Sequence, residues 1–236
     1  MFAGNMLFIA ISVFSLFHPR ELVVRTQNPP ATHVLHLDDS SLPYSTSGEW
    51  TLAVPGKIER KFRGRLDVTA QGDELLAVVH MDIETAVASV VAAEIPPGAP
   101  MEALRAQAVA ARSFLTAAKD RHRGFDFCDT THCQFLRQPP DPSDAAFRAA
   151  ESTRGLTLQY RGQTIAAFYS ADCGGHTSAS PPGADGYAYA RVTCPRQGVP
   201  RGHGIGLCQV GAAAMASAGR GYLSILEYYY PGAMVR

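Results

Sequence analysis

The apolar pattern changes period at Asp82, and that break decides the fold class. Before it, Glu21-Leu-Val-Val-Arg-Thr, His33-Val-Leu-His-Leu, Trp50-Thr-Leu-Ala-Val and Gly64-Arg-Leu-Asp-Val-Thr alternate or run β-branched, as strands do. Gly72-Asp73 is a turn before a last strand, Glu74 to His80. After it, Asp82 to Glu94 is alanine-rich and helical, with Asp82 placed as N-cap and Pro96-Pro97-Gly98 as the stop. A second helix starts near Pro100 and runs to about His122, with Met101, Leu104, Ala108, Ala111, Leu115 and Ala118 on one buried face. Strands followed by helices predict an α+β protein. A small N-terminal β subdomain over residues 20–80 packs on a mixed α/β domain over residues 81–236.

The 236 residues allow one to two domains with a core that needs no disulfides. Hydrophobic residues at 46% and charged residues at 18% mark a globular chain. The formal net charge is zero, which argues against a general nucleic-acid binder. Met1 to Phe17 is mostly apolar and too short for an ordinary membrane span. Residues 1–19 therefore suggest an export segment, although no Lys or Arg precedes the apolar run. The alternatives are a first strand or a start that clips an upstream signal. No later stretch is apolar enough to span a bilayer.

Beyond the second helix, residues 124–142 form a loop carrying Cys and His. Ser143 to Arg154 is a short helix closed by Gly155, and Arg161-Gly162 turns a hairpin between Leu156–Tyr160 and Gln163–Tyr169. Residues 171–206 are rich in Gly and Pro. Cys208 to Ala218 is helical, and Tyr222 to Tyr230 is a last short helix stopped by Pro231-Gly232.

Three features carry chemistry. Glu94 ends an apolar helical run, so its carboxyl is expected to be partly desolvated. Desolvation raises a carboxyl pKa toward what a general acid needs. The bland alternative is a solvent-facing Glu at a helix end. His122, Cys128, His132 and Cys133 fall within twelve residues and suit tetrahedral zinc. Cys173-Gly-Gly-His176 offers a further pair of ligand types. A disulfide such as Cys128 with Cys194, or plain loop residues, are the alternatives. Five cysteines, an odd number, exclude complete pairing within one chain. Finally, Gly202-His-Gly-Ile-Gly-Leu-Cys-Gln-Val-Gly211 precedes a helix, and glycines there let backbone approach a ligand. A dinucleotide loop is excluded because no βαβ unit surrounds it. A tight structural turn is the alternative. Arg105, Arg112 and Lys119 step by seven along the second helix, which reads as a solvated basic face.

Together these stretches resemble the stage II sporulation protein D family, peptidoglycan lytic transglycosylases and amidase enhancers. The resemblance runs in order through Val87 to Pro96, Glu102 to Phe114, Asp129-Thr-Thr-His-Cys-Gln134, Tyr169 to Thr177, Gly202 to Ala212 and Ile225 to Gly232. It implies that residues 81–236 are a catalytic domain and that Glu94 is its single catalytic acid. The implied reaction is non-hydrolytic cleavage between N-acetylmuramic acid and N-acetylglucosamine, leaving 1,6-anhydro ends. It implies that Arg112, Tyr169, His176, His203 and Gln209 line the glycan cleft, with Arg112 placed to hold hydroxyls or the lactyl carboxylate. It implies a structural zinc on His122, Cys128, His132 and Cys133. The partners implied are peptidoglycan strands and a cell-wall amidase, and the location is extracytoplasmic. The stretch between Thr177 and Gly202 is shorter than is usual in the family, and Cys208 stands where Ser is common. A non-catalytic enhancer of an amidase and a zinc-dependent hydrolase are the rival readings. A bridge between Cys173 and Cys194 is the first disulfide to consider among the remaining cysteines.

Overall fold

The alternating segments of the first third pair as one antiparallel sheet, a three-stranded meander flanked by a hairpin on one side and by the first strand on the other. The computed structural model describes residues 7–236. Its first strands are β1 (Phe8–Val13), β2 (Glu21–Gln27), β3 (Pro30–His36), β4 (Tyr44–Val54), β5 (Ile58–Gln71) and β6 (Glu74–Asp82). With β7 (Phe127–Cys128) they make a seven-stranded sheet in the order β3-β2-β4-β5-β6-β1-β7. Leu22 and Val24, Trp50 and Leu52, and Phe62, Leu66 and Val68 recur at even spacing, and each is at most 2% exposed. Even spacing puts them on one sheet face, where they form this unit's core. Gly64 belongs to the same row but has φ +133°, and a Cβ there would lie 2.2 Å from the His80 carbonyl oxygen. Only glycine lets β5 close on β6 at this point. The Trp50 indole N–H donates to the Gly64 carbonyl at 3.1 Å, so the largest core side chain keeps its polar edge satisfied.

The apolar run expected as an export segment is part of this sheet. β1 pairs antiparallel with β6 and parallel with β7, and Ile9, Ile11, Val13 and Phe14 are buried. An alternating apolar run satisfies a core strand as readily as a leader, and here its alternate side chains are core. This burial fits the first-strand alternative for residues 8–13. Residues 1–6 of that segment lie outside the described residues.

The expected boundary at residue 80 also moves. One compact unit comprises residues up to Ser89 together with Lys119–Pro139, and the other comprises Val90–Ala118 with Pro140–Arg236. Helix α1 (Ile83–Glu94) begins in the first and ends in the second. Asp82 caps it as expected, its Oδ1 accepting from the Glu84 and Thr85 N–H groups at 3.1 and 3.2 Å.

The second unit is built around α2 (Met101–Ala117), an alanine-rich helix buried from Ala106 through Leu115. Small side chains let α3 (Ala145–Ser152) and two later helices pack close to it. The expected extension of α2 to His122 does not form. The chain turns at Asp120, at φ 59°, whose N–H donates to Asp126 at 3.4 Å. β8 (Leu158–Tyr160) and β9 (Gln163–Thr164) are the predicted hairpin, with Arg161 and Gly162 both at positive φ, as a type I′ turn requires. Its second strand is far shorter than the expected run to Tyr169. β10 (Tyr169–Ser170) pairs instead, in parallel, with β11 (Leu207–Cys208). α4 (Gln209–Ser217), α5 (Tyr222–Tyr229) and β12 (Met234–Val235) complete the unit, with β12 against β8. The architecture is α+β. No helix among the described residues is long and apolar enough to cross a membrane.

Candidate active site

Glu94 is the last residue of α1, half-buried after a run of buried valines and alanines and before Ile95-Pro96-Pro97. The prolines cannot extend the helix, so the carboxylate is held at its end. The Gln209 amide, on the first residue of α4, donates to Glu94 Oε2 at 3.3 Å. Burial pushes the Glu94 carboxyl above its ordinary value, and the Gln209 hydrogen bond only partly opposes that. A carboxyl held neutral more readily than usual is suited to donate a proton.

The sign of this shift gives a stability prediction. The native state holds the Glu94 proton more tightly than the unfolded chain does, so protonated Glu94 contributes stability. That contribution is complete below the ordinary glutamate range, about pH 4, and is lost as pH rises through the raised value. Glu94→Gln removes the loss. The variant is expected to be more stable than the parent at neutral pH, with the difference narrowing toward about pH 4. Denaturant midpoints across pH read this directly.

Two glycine loops, the first over residues 172–177 and the second over residues 202–211, lie near the site, and the second delivers Gln209. Gly206, at φ +73°, passes so close to β10 that a Cβ would lie 2.0 Å from the Phe168 carbonyl oxygen. That approach lets Leu207 and Cys208 pair with Tyr169 and Ser170. His203 is exposed on the same loop, its Nδ1 accepting from the Ile205 N–H at 3.0 Å and its ring edge-on to Phe168 at 5.8 Å. His176 is exposed on the first glycine loop, where the neighbouring Ser178 bridges to Ile205. The fold thus joins Glu94 to Gln209 directly, sets Tyr169 on β10, and sets His176 and His203 on two loops that pair with each other.

Arg112 is different. It is 1% exposed, and its guanidinium donates to the Ala150 carbonyl at 3.0 Å and the Leu156 carbonyl at 3.1 Å. The basic stripe is therefore not a solvated face at this position, where the guanidinium reaches backbone carbonyls. The cation satisfies carbonyls at and beyond the end of α3, where the helix dipole favours it. Arg112→Ala takes away the donor to the Leu156 carbonyl, at about 1–3 kcal/mol, and one donor to the Ala150 carbonyl, which keeps the Thr153 N–H at 3.2 Å. Thermal unfolding should show a large loss of stability. Arg112→Lys should restore little of it, since an ammonium lacks the planar fork that reaches both carbonyls.

The Cys and His loop belongs to the first unit, held to β1 by two aspartates. Asp126 Oδ2 accepts from the Ala10 N–H at 2.8 Å and Asp129 Oδ2 from the Phe14 N–H at 3.2 Å. Arg60 also reaches Asp129, at 3.2 Å. Sequence patterning missed Asp126 and Arg60 because their partners lie far away in the chain. On this anchored loop, one ligand atom from each of His122, Cys128, His132 and Cys133 lies within 4.8 Å of the others. His122 Nε2 is 2.9 Å from Cys133 Sγ, and His132 Nδ1 is 3.4 Å from Cys133 Sγ and 3.8 Å from Cys128 Sγ. Zinc bonds of about 2.3 Å to sulfur and about 2.0 Å to nitrogen bring such atoms to comparable separations in a tetrahedron. Burial, with His132 and Arg121 nearby, lowers the His122 pKa and favours the neutral imidazole that a metal requires.

In the second unit, Cys173, Cys194 and Cys208 are all buried and their sulfurs lie within 4.8 Å of one another. Burial pushes the Cys173 thiol up to about 12 and raises that of Cys208. Cys128 and Cys194 are both free thiols, so the bridge between them considered from sequence is not formed.

Residues 71–160 match the family model SpoIID, stage II sporulation protein. An uncharacterized protein of Brachyspira hyodysenteriae is 34% identical over 123 residues, 51% of this chain and 33% of that protein. The amidase enhancer of Bacillus subtilis is 64% identical over 31 residues, 13% of this chain and 4% of that protein. The chain spans a third or less of the length of these curated relatives.

Proposed function

We propose that this chain is a lytic transglycosylase that cleaves peptidoglycan glycan strands outside the cytoplasmic membrane, with Glu94 as its acid and base. The observation that carries the reading is the half-buried Glu94 carboxyl, raised by burial and tethered to Gln209 at the start of α4. Protonated Glu94 gives its proton to the glycosidic oxygen as the bond from the muramyl anomeric carbon breaks. The resulting carboxylate takes the proton of the muramyl 6-hydroxyl, whose oxygen closes on the anomeric carbon. The products are a 1,6-anhydro end and a free N-acetylglucosamine end. No water is consumed, and Glu94 finishes protonated. One carboxyl serves both steps, unlike the two-carboxylate scheme of hydrolytic glycosidases. Gln209 orients the carboxylate, while Tyr169, His176 and His203 supply polar contacts to sugar.

His122, Cys128, His132 and Cys133 fit a zinc ion, and in this reading the ion orders their loop. A second reading, a wall-binding enhancer of a partner amidase, is favoured by the short 64% match to the Bacillus amidase enhancer. Incubating purified chain with glycan strands, with and without an amidase, separates the two. A transglycosylase releases anhydromuramyl products alone, whereas an enhancer only speeds the amidase.

A further inference from the structure

We propose that Cys173, Cys194 and Cys208 form a second metal site, a three-thiolate pocket for a soft, thiophilic d10 cation. The three come from separate stretches, and the fold converges them by backbone pairing. The Cys194 N–H donates to the Gly175 carbonyl at 2.7 Å and the Thr177 N–H to the Val192 carbonyl at 2.9 Å, which lays the Cys194 segment along the first glycine loop. Parallel pairing of Ser170 with Cys208 brings the third thiol to the same place.

The surroundings are those of a thiolate-ligand site. The Cys173 and Gly211 N–H groups both donate to Cys208 Sγ at 3.4 Å, and Cys208 is the N-cap of α4. Burial raises the Cys208 thiol, and the backbone donors and helix N-terminus partly oppose it, so the sulfur is placed to be held as a thiolate once a cation binds. The Tyr229 hydroxyl lies 3.4 Å from Cys194 Sγ, placed to hydrogen-bond that sulfur. Such contacts around the sulfurs orient and tune ligands. Gly211 is required: a Cβ there would lie 2.4 Å from Cys194 Sγ and 2.1 Å from the Tyr229 oxygen. A single disulfide would use two of the three thiols and leave the third buried beside it. Three sulfurs and no imidazole or carboxylate in the cluster select a soft cation over magnesium or calcium. Zn(II) and Cu(I) share this chemistry. Binding replaces each thiol proton with a metal–sulfur bond and releases the protons to solvent, so affinity falls as pH falls.

The test uses the full chain carrying Cys128→Ser and Cys133→Ser, which disables the other Cys and His cluster. Zn(II), or Cu(I) held by a competing chelator, is titrated in under reducing conditions and the bound metal is counted. One equivalent of one of these cations should bind, with sulfur-to-metal charge-transfer absorption in the ultraviolet. Adding Cys208→Ser should abolish it, and serine is itself a good N-cap, so the helix is kept. The arm that binds tighter identifies the cation. Should the double variant not fold, the parent and the single Cys208→Ser chain are compared, and the variant should bind one equivalent fewer. No binding in either arm, binding indifferent to Cys208→Ser, or a disulfide between any two of the three in protein isolated without reductant would overturn the site. None of these results depends on whether Glu94 cleaves glycan.

Discussion

Glu94→Gln is expected to abolish glycan-strand cleavage while the chain remains folded. Glutamine keeps the size of the side chain and still presents an oxygen to the Gln209 amide, which now donates to it at 3.3 Å. What it removes is the proton that the leaving oxygen needs and the base that the 6-hydroxyl needs. Acid and base catalysis by one positioned side chain contributes roughly 10²–10⁴-fold. Because Glu94 serves in both steps, the loss should reach or exceed the upper end of that range. The same variant is expected to be more stable than the parent at neutral pH, so lost activity cannot be blamed on unfolding. Release of muropeptide fragments from purified strands, followed by chromatography, measures the first effect. Retained turnover in the variant would remove Glu94 from the chemistry.

The second large effect concerns the Cys and His loop. Chelation, or Cys128→Ser, should remove one zinc per chain and lower the thermal midpoint of the first unit. Cys128 is buried and also belongs to β7, at the edge of the sheet beside β1, so loss of the ion is felt where the loop joins the core. The cost should be on the order of a few kcal/mol. That is well under the roughly 10–16 kcal/mol by which zinc folds a finger peptide, because Asp126 and Asp129 still hold the loop. Metal analysis and calorimetry on the same preparation check this. A structural ion predicts slow loss of activity that follows unfolding. Immediate loss at low temperature would instead mark a metal-dependent hydrolase.

The periodicity of the chain carried much of this architecture. Even-spaced apolar residues placed β2, β4, β5 and β6, and Asp82, Arg161-Gly162 and Pro231-Gly232 marked a cap, a turn and a stop where the fold has them. Periodicity does not carry partners. Ile9 and Ile11 alternate as a core strand does, yet a short apolar run near a chain start has the same appearance in a leader. Arg112 sits seven residues from other cations on α2, and only the return of α3 past it turns an apparent solvated stripe into a buried cap. Cluster membership shows the same limit. Close spacing made His122, Cys128, His132 and Cys133 visible in sequence. Cys173, Cys194 and Cys208 meet through loop pairing, so sequence could suggest the Cys173–Cys194 pair but not that Cys208 joins it. Glu94 was legible because its position alone, an acid closing an apolar helix ahead of prolines, implies desolvation. Its partner Gln209 lies 115 residues away and was reachable only by resemblance.

The most direct measurement is mass spectrometry of purified glycan strands after incubation with this chain alone. Fragments ending in 1,6-anhydro-N-acetylmuramic acid, absent with Glu94→Gln, are the expected result. Strands left intact, or cut to reducing ends that have gained water, would contradict a transglycosylase built on Glu94.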